Sequence, residues 1–256
     1  MRFRWLGTAG FEFSCGGETL LIDPYLTRNP RAFPRQGLRP ADLRHAGAVL
    51  VTHGHFDHAA DVPEIARLSG CRVFASASVC RALGMAGVPW RRLEPLRGGD
   101  RIRIGPFLVE AVPSRHVTFD QPLIMETVMR CLARLPELAG GLGPLASPAG
   151  EVLGYLLQVE GQTYFHLGSA WLKRGVMEGK RVDVFLVPAQ GRSDITSVAA
   201  RLTAEVKPQL VVPHHHDDFY PPVSKNIDLG PFRQELEMRM PDVRLLVPSL
   251  NLWLEA

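Results

Sequence analysis

Apolar residues come in short blocks along the first third of the chain. Arg2 to Leu6, Phe11 to Ser14 and Thr19 to Asp23 read as strands, broken by Gly7, Gly10, Gly16 and Gly17. Ala48-Val49-Leu50-Val51-Thr52 is a continuous apolar run closing on a polar residue, which predicts a strand buried on both faces. Asp61 to Leu68 has the spacing of a helix, with Asp61 as its N-cap and Pro63 in its first turn. A strand over Arg72 to Ala75 and a helix over Ser78 to Met85 follow. Arg101 to Ile104 and Phe107 to Val112 make a hairpin around Gly105-Pro106, and Pro113-Ser114-Arg115-His116 ends its second strand.

Residues 117–150 break this style. Gln121 to Leu138 is periodic as a helix through Leu123, Ile124, Val128, Leu132 and Leu135, and a Gly- and Pro-rich stretch runs from Gly140 to Gly150. The reading is a helical insertion at 117–150 within one domain spanning 1–256, a lid or an ordinary connection. Beyond it the strand style returns. Val152 to Val159 and Thr163 to His166 form a hairpin at Glu160-Gly161, and Val182 to Val187 is a strand. Ile195 to Val206 is a helix, Gln209 to Val212 a strand, Pro231 to Met240 a helix and Val243 to Val247 a last strand. Strands alternating with helices in both halves predict an α/β sandwich of two sheets with helices outside them.

Composition narrows the class. Hydrophobic residues make up 46% and charged ones 21%, the balance of a globular chain with a substantial core. The net charge is +3, but Lys and Arg are scattered, so no nucleic-acid partner is indicated. No apolar run is long enough to span a bilayer, and Glu12 interrupts the N-terminal apolar stretch before a signal-peptide core can form. Cys15, Cys71, Cys80 and Cys131 fit no zinc knuckle or disulfide framework, which predicts buried reduced thiols in a cytoplasmic protein. Oligomeric state leaves no signal.

Histidine placement carries the chemistry. Of the chain's 9 histidines, most follow strand-like runs in three places. The first is His53-x-His55-x-Asp57-His58. Residues two apart in an extended segment project the same way, so His53 and His55 grip one ion, while Asp57 and His58 lie further round the turn and serve a second. The second place is His116, after Val109-Glu110-Ala111-Val112. The third is His214-His215-His216-Asp217-Asp218, where alternation aims the middle histidine opposite to its neighbours.

The H-x-H-x-D-H signature after a buried strand resembles the metallo-β-lactamase superfamily. Trp5-Leu6-Gly7-Thr8-Ala9-Gly10-Phe11 and Leu20-Leu21-Ile22-Asp23-Pro24-Tyr25 are similar to the branch containing the bacterial ascorbate-phosphate lactonase. The resemblance implies a four-layer αββα sandwich of two mixed β-sheets flanked by helices, with metals at one edge and His116 as third histidine of the first metal. Pro213-His214-His215, with Phe219 following, matches the branch's last ligand segment and implies His215 as ligand, with His214 and His216 outside it or exposed. The family usually places a metal-bridging Asp where this chain has Ser169. A neutral hydroxyl brings no charge to hold two divalent ions together. Either the second ion binds weakly, or Asp217, Asp218 or a bridging hydroxide or substrate group compensates. His166 fits a core role better than a ligand's.

The expected activity is metal-dependent hydrolysis of a small anionic ester, lactone or phosphodiester. One or two ions per chain are expected, with zinc first and manganese or iron as alternatives. Asp57 ligates, and orients the attacking water or takes its proton. Arg115 is a candidate for recognising the substrate's anionic group. Asp23 either hydrogen-bonds a ligand histidine from behind or caps the turn at Pro24. Two other readings stand beside this one: a nuclease or phospholipid-type phosphodiesterase, and a metal-binding sensor or scaffold without turnover, motivated by Ser169.

Overall fold

The computed structural model describes residues 1–136 and 148–255. The strands are β1 (Arg2–Gly7), β2 (Gly10–Cys15), β3 (Glu18–Ile22), β4 (Ala48–Leu50), β5 (Arg72–Ser76), β6 (Leu93–Leu96), β7 (Arg101–Ile104), β8 (Phe107–Pro113), β9 (Leu153–Val159), β10 (Gln162–His166), β11 (Val184–Pro188), β12 (Leu210–His214), β13 (Arg244–Leu245) and β14 (Trp253–Glu255). The α-helices are α1 (Phe56–Ala59), α2 (Val62–Ser69), α3 (Ala77–Met85), α4 (Gln121–Ala133), α5 (Ile195–Val206) and α6 (Gly230–Arg239).

Side-chain alternation sorts these strands into layers. Leu20 and Ile22 point one way into the cluster between the sheets, with Phe11, Phe13, Phe107, Tyr155, Leu157 and Val212. Leu21, Val49, Val51 and Val73 point the other way and are covered by Ile65 of α2 and by Val79 and Leu83 of α3. In the second sheet Phe165, Phe185 and Val211 face outward onto Ala199 and Leu202 of α5 and Phe232 of α6. The result is the αββα sandwich of two mixed sheets, ordered β14-β1-β2-β3-β4-β5-β6 and β13-β12-β11-β10-β9-β8-β7. Each sheet begins with antiparallel pairs and ends in parallel ones, β3 to β6 in the first and β10 to β13 in the second. Parallel strands release their chains at one edge, and loops at that edge build the site.

Several local expectations shift. The helix expected over 121–138 ends at Ala133; Leu138 and residues up to 147 of the Gly/Pro-rich stretch lie outside the described residues. Asp61 stands at the N-cap of α2, but its carboxylate does not cap the helix; it accepts from the backbone N–H groups of Leu26 and Thr27. β6 carries Pro95 and pairs only with β5, an edge position where a missing N–H costs no ladder bond. Cys15, Cys71 and Cys80 are buried free thiols, Cys131 is half-buried, and burial pushes Cys80 up to about 11. Among the described residues no helix is long and apolar enough to cross a membrane.

Candidate metal centre

The loop after β4 starts extended and then turns. His55 is still extended, with φ −63° and ψ 149°, and the single turn α1 follows it. The bend sends His53 and His55 towards His116, after β8, and sends Asp57 and His58 towards His215, after β12. Two groups result, His53–His55–His116 and Asp57–His58–His215, each with its ligand atoms within 4.8 Å of one another. The His53 and His58 rings lie 3.9 Å apart, so the groups adjoin.

Each histidine but His55 has its Nδ1 engaged by an oxygen of the chain. The partners are Thr52 Oγ1 at 3.0 Å for His53, Asp23 Oδ2 at 2.7 Å for His58, the Val117 carbonyl at 2.8 Å for His116 and Gln190 Oε1 at 2.8 Å for His215. An Nδ1–H donated backwards fixes the tautomer and leaves Nε2 as the free donor nitrogen. His53 Nε2 is buried with no hydrogen-bond partner. A buried polar atom without a partner is costly, and a cation at this position removes the cost. The donor set, imidazole with one carboxylate, fits zinc or another first-row ion.

Asp23 lies at the base of this arrangement. It is fully buried, accepts from Thr52 N at 2.7 Å and from Thr52 Oγ1 at 2.6 Å, and also holds His58. Its side-chain hydrogen bonds run to Thr52 and to His58 of the second group.

Electrostatics follow burial. His53 is held well below the ordinary imidazole value by burial and then by its histidine neighbours. His55 is pushed down to about 4 by burial and by His116, and burial lowers His116. Burial opposes the charge on Asp57, but His58 and the close approach of His215 outweigh it and hold the carboxyl below the usual range. Burial likewise opposes charge on His58, yet Asp23 and Asp57 together raise it. The first group therefore offers neutral imidazoles, and the second is built around a carboxylate.

The remaining candidates separate. His215 is held at a left-handed φ of 56°, where its N–H donates to the Thr8 carbonyl at 2.7 Å. Asp217 accepts the Thr8 N–H and pairs with Arg28, so it braces this corner. Asp218 accepts from Ser224. Neither aspartate belongs to the two groups, and both carboxylates have these partners. Neither His214 nor His216 is exposed. His214 is fully buried and stacks on His166, while His216 stacks on Trp5 at 4.9 Å. His166 is a core residue bound to the Ala9 carbonyl. Ser169 lines the cleft, and its Oγ accepts the Val117 N–H at 2.9 Å, beside His116. Arg115 lies over the Trp171 ring at 5.0 Å and does not line the cleft. Three residues went unnoticed in the sequence. Thr52 had a signal, a polar residue closing the run before His53. Gln190 and Arg28 had none, because their partners are distant in the chain.

A two-sheet sandwich with a three-histidine group adjoining a histidine-carboxylate group at one edge defines a class of metal-binding folds. The family described as the beta-lactamase superfamily domain matches residues 2–215. A UPF0173 metal-dependent hydrolase of Carboxydothermus hydrogenoformans is 30% identical over 92% of both chains. Another, from Pyrococcus abyssi, is 26% identical over 88% of each. Among solved structures, the metallo hydrolase Igni18 of Ignicoccus hospitalis superposes with a TM-score of 0.70 at 20% identity, covering 100% of this chain and 98% of that one. An isothiocyanate hydrolase from Delia radicum gut bacteria gives 0.68 at 13% identity, covering 100% and 99%. These two structures bear on fold alone. The chain belongs to the metallo-β-lactamase superfamily, among its UPF0173 metal-dependent hydrolases.

Proposed function

We propose that this chain hydrolyses an ester-like bond with divalent ions held by His53, His55 and His116 and by Asp57, His58 and His215, zinc first, with manganese or iron as alternatives. The observation that carries the reading is the set of histidines anchored at Nδ1, with the buried His53 Nε2 left unpartnered. A bound ion of this kind brings water towards ionisation at neutral pH and draws charge from the bond under attack. The chain supplies the rest. The neutral imidazoles of the first group present lone pairs without first losing protons. Asp57 stays ionised in the second group, 3.1 Å from His215 Nε2 and 3.8 Å from His58 Nε2. Its carboxylate ligates, and orients the incoming water or receives its proton. Water oxygen then bonds to the acyl or phosphoryl centre, the bond to the leaving oxygen breaks, and that oxygen takes the proton.

With Ser169 bringing no charge, Asp57 is the one carboxylate among the two groups, which supports a weaker joint hold on two ions than on one. The test is to strip metal with a chelator, restore zinc or manganese, and follow generic carboxyl and phosphoryl esters. Activity should vanish and return. Activity that survives complete metal removal overturns the proposal, and so does two-ion protein that turns over none of the esters.

A further inference from the structure

The cleft has a second wall. Its volume is about 410 Å³, and beside the metal groups its lining includes Val117, Phe119, Leu123, Ile124, Val128 and Phe219. No residue of α4 is buried, and Ile124 and Val128 remain 49% and 47% exposed. A monomer gains nothing by holding an apolar wall in water at the mouth of a polar site.

The charges at the cleft point the same way. Arg130, Arg192 and Lys225 are its cations among the described residues; Arg192 pairs with Asp194, while Arg130 and Lys225 share the carboxylate of Glu126. Arg130 meets Glu126 at 3.1 Å, Arg192 meets Asp194 at 2.6 Å, and Lys225 meets Glu126 at 2.6 Å. Arg130 also donates to the Pro222 and Val223 carbonyls. Arg115, expected to read an anion, is outside the cleft. An anionic group on the substrate's body would compete with Glu126 and Asp194 for these cations.

We infer that the substrate is an uncharged carboxylic ester or lactone whose apolar acyl or alkyl body lies along α4. The chemical step rests on the hydrolase proposal: water oxygen bonds to the acyl carbon, the acyl C–O bond breaks, and the alcohol oxygen leaves with the proton. The apolar seat does not rest on it.

Two measurements separate the claims. The first is binding of the uncharged fluorophore N-phenyl-1-naphthylamine, competed by methyl octanoate and poorly by methyl acetate. Ile124→Asp and Val128→Asp should each weaken it at least roughly tenfold, the scale of losing a few buried methylenes. Met125→Asp and Met129→Asp, at 64% and 59% exposure and outside the cleft lining, should not. Loss in the methionine variants, or retention in the other two, overturns the inference and makes the helix a partner surface. The second is kcat/KM of the zinc-loaded protein on p-nitrophenyl acetate, butyrate and octanoate. It should rise by up to about fourfold per methylene, the gain from burying one CH₂. A flat or falling series, or preference for esters with a carboxylate or phosphate on the body, overturns it. Probe binding with no turnover of any ester supports the seat and overturns the hydrolase proposal.

Discussion

Asp23→Asn alters two histidines by exchanging one oxygen for a nitrogen. In the native site Asp23 Oδ2 accepts from both His58 Nδ1, at 2.7 Å, and Thr52 Oγ1, at 2.6 Å, while Thr52 Oγ1 lies 3.0 Å from His53 Nδ1. The chain of donation runs His53 to Thr52 to Asp23, and His58 to Asp23. An amide can keep its oxygen on the Thr52 N–H, which puts its NH₂ where Oδ2 was. That NH₂ now donates to His58 Nδ1 and Thr52 Oγ1, and the threonine proton turns to His53 Nδ1. Both imidazoles then carry their proton on Nε2, where a metal needs a lone pair. One histidine lies in each metal group, so both ions should bind more weakly, each by about 10–100-fold. Losing the charged acceptor in a fully buried position should also cost about 1–3 kcal/mol of stability. Asp23→Ala distinguishes tautomer control from simple support. Alanine leaves the Thr52 N–H unpaired and a cavity, so it should cost more stability than Asn. It donates no proton, so it should cost less metal affinity. The assays are competition with a chromophoric chelator for affinity and urea unfolding of the metal-free protein for stability. If Ala is worse than Asn in both, or if Asn shifts affinity less than about threefold, the tautomer argument is wrong.

Four further outcomes follow from the same contacts. Ser169→Ala should leave the Val117 N–H unpaired at a cost of about 1–3 kcal/mol, while Ser169→Asp keeps an acceptor and should tighten the second ion, read as metal per chain after partial chelation. Gly168→Ala brings a Cβ within 2.2 Å of Thr52 Oγ1, so it should weaken metal binding although it touches no ligand; unchanged affinity would refute the Thr52 linkage. Arg28→Met leaves buried Asp217 without its cation and should destabilise by about 3–5 kcal/mol in thermal or urea unfolding. The metal-free protein should lose stability as pH falls from about 6.5, the ordinary imidazole value, towards about 4. Burial lowers His53, His55, His116, His166 and His214 in the fold, so the unfolded chain takes up more protons across that window; His58, raised, opposes them singly. Unfolding midpoints that stay level or rise on acidification would count against those burial effects.

What could be read beforehand divides along the range of the interactions. The buried strand Ala48–Leu50 and the histidines behind it are local, because apolar runs and ligand spacing are properties of neighbouring residues. The layers were legible for the same reason: the alternation of Leu20, Leu21 and Ile22 sends side chains to both faces of a sheet. The two edge strands of the first sheet were not. Leu93–Leu96 contains Pro95, and Trp253–Glu255 is three residues long; each exists because a neighbour supplies a ladder. The site's supports were hidden for a related reason. Gln190 on His215, Arg28 on Asp217 and the Thr8 carbonyl on His215 join residues far apart in the chain, with no local pattern to mark them.

Helix α4 shows where a correct periodicity still misleads. Leu123, Ile124, Val128, Leu132 and Leu135 have helical spacing, which ordinarily means a face turned to the core. Here no residue of the helix is buried, and Ile124, Val128, Leu132 and Leu135 are exposed. The pattern reports that something apolar should cover the face, not what covers it. Position settles more: Leu123, Ile124 and Val128 line the cleft that holds both metal-binding groups, whereas Leu132 and Leu135 do not. The stripe therefore divides into a part facing the site and a part facing away. The two pairs of aspartate substitutions divide the helix along a similar line, with Ile124 and Val128 inside the cleft and Met125 and Met129 outside it.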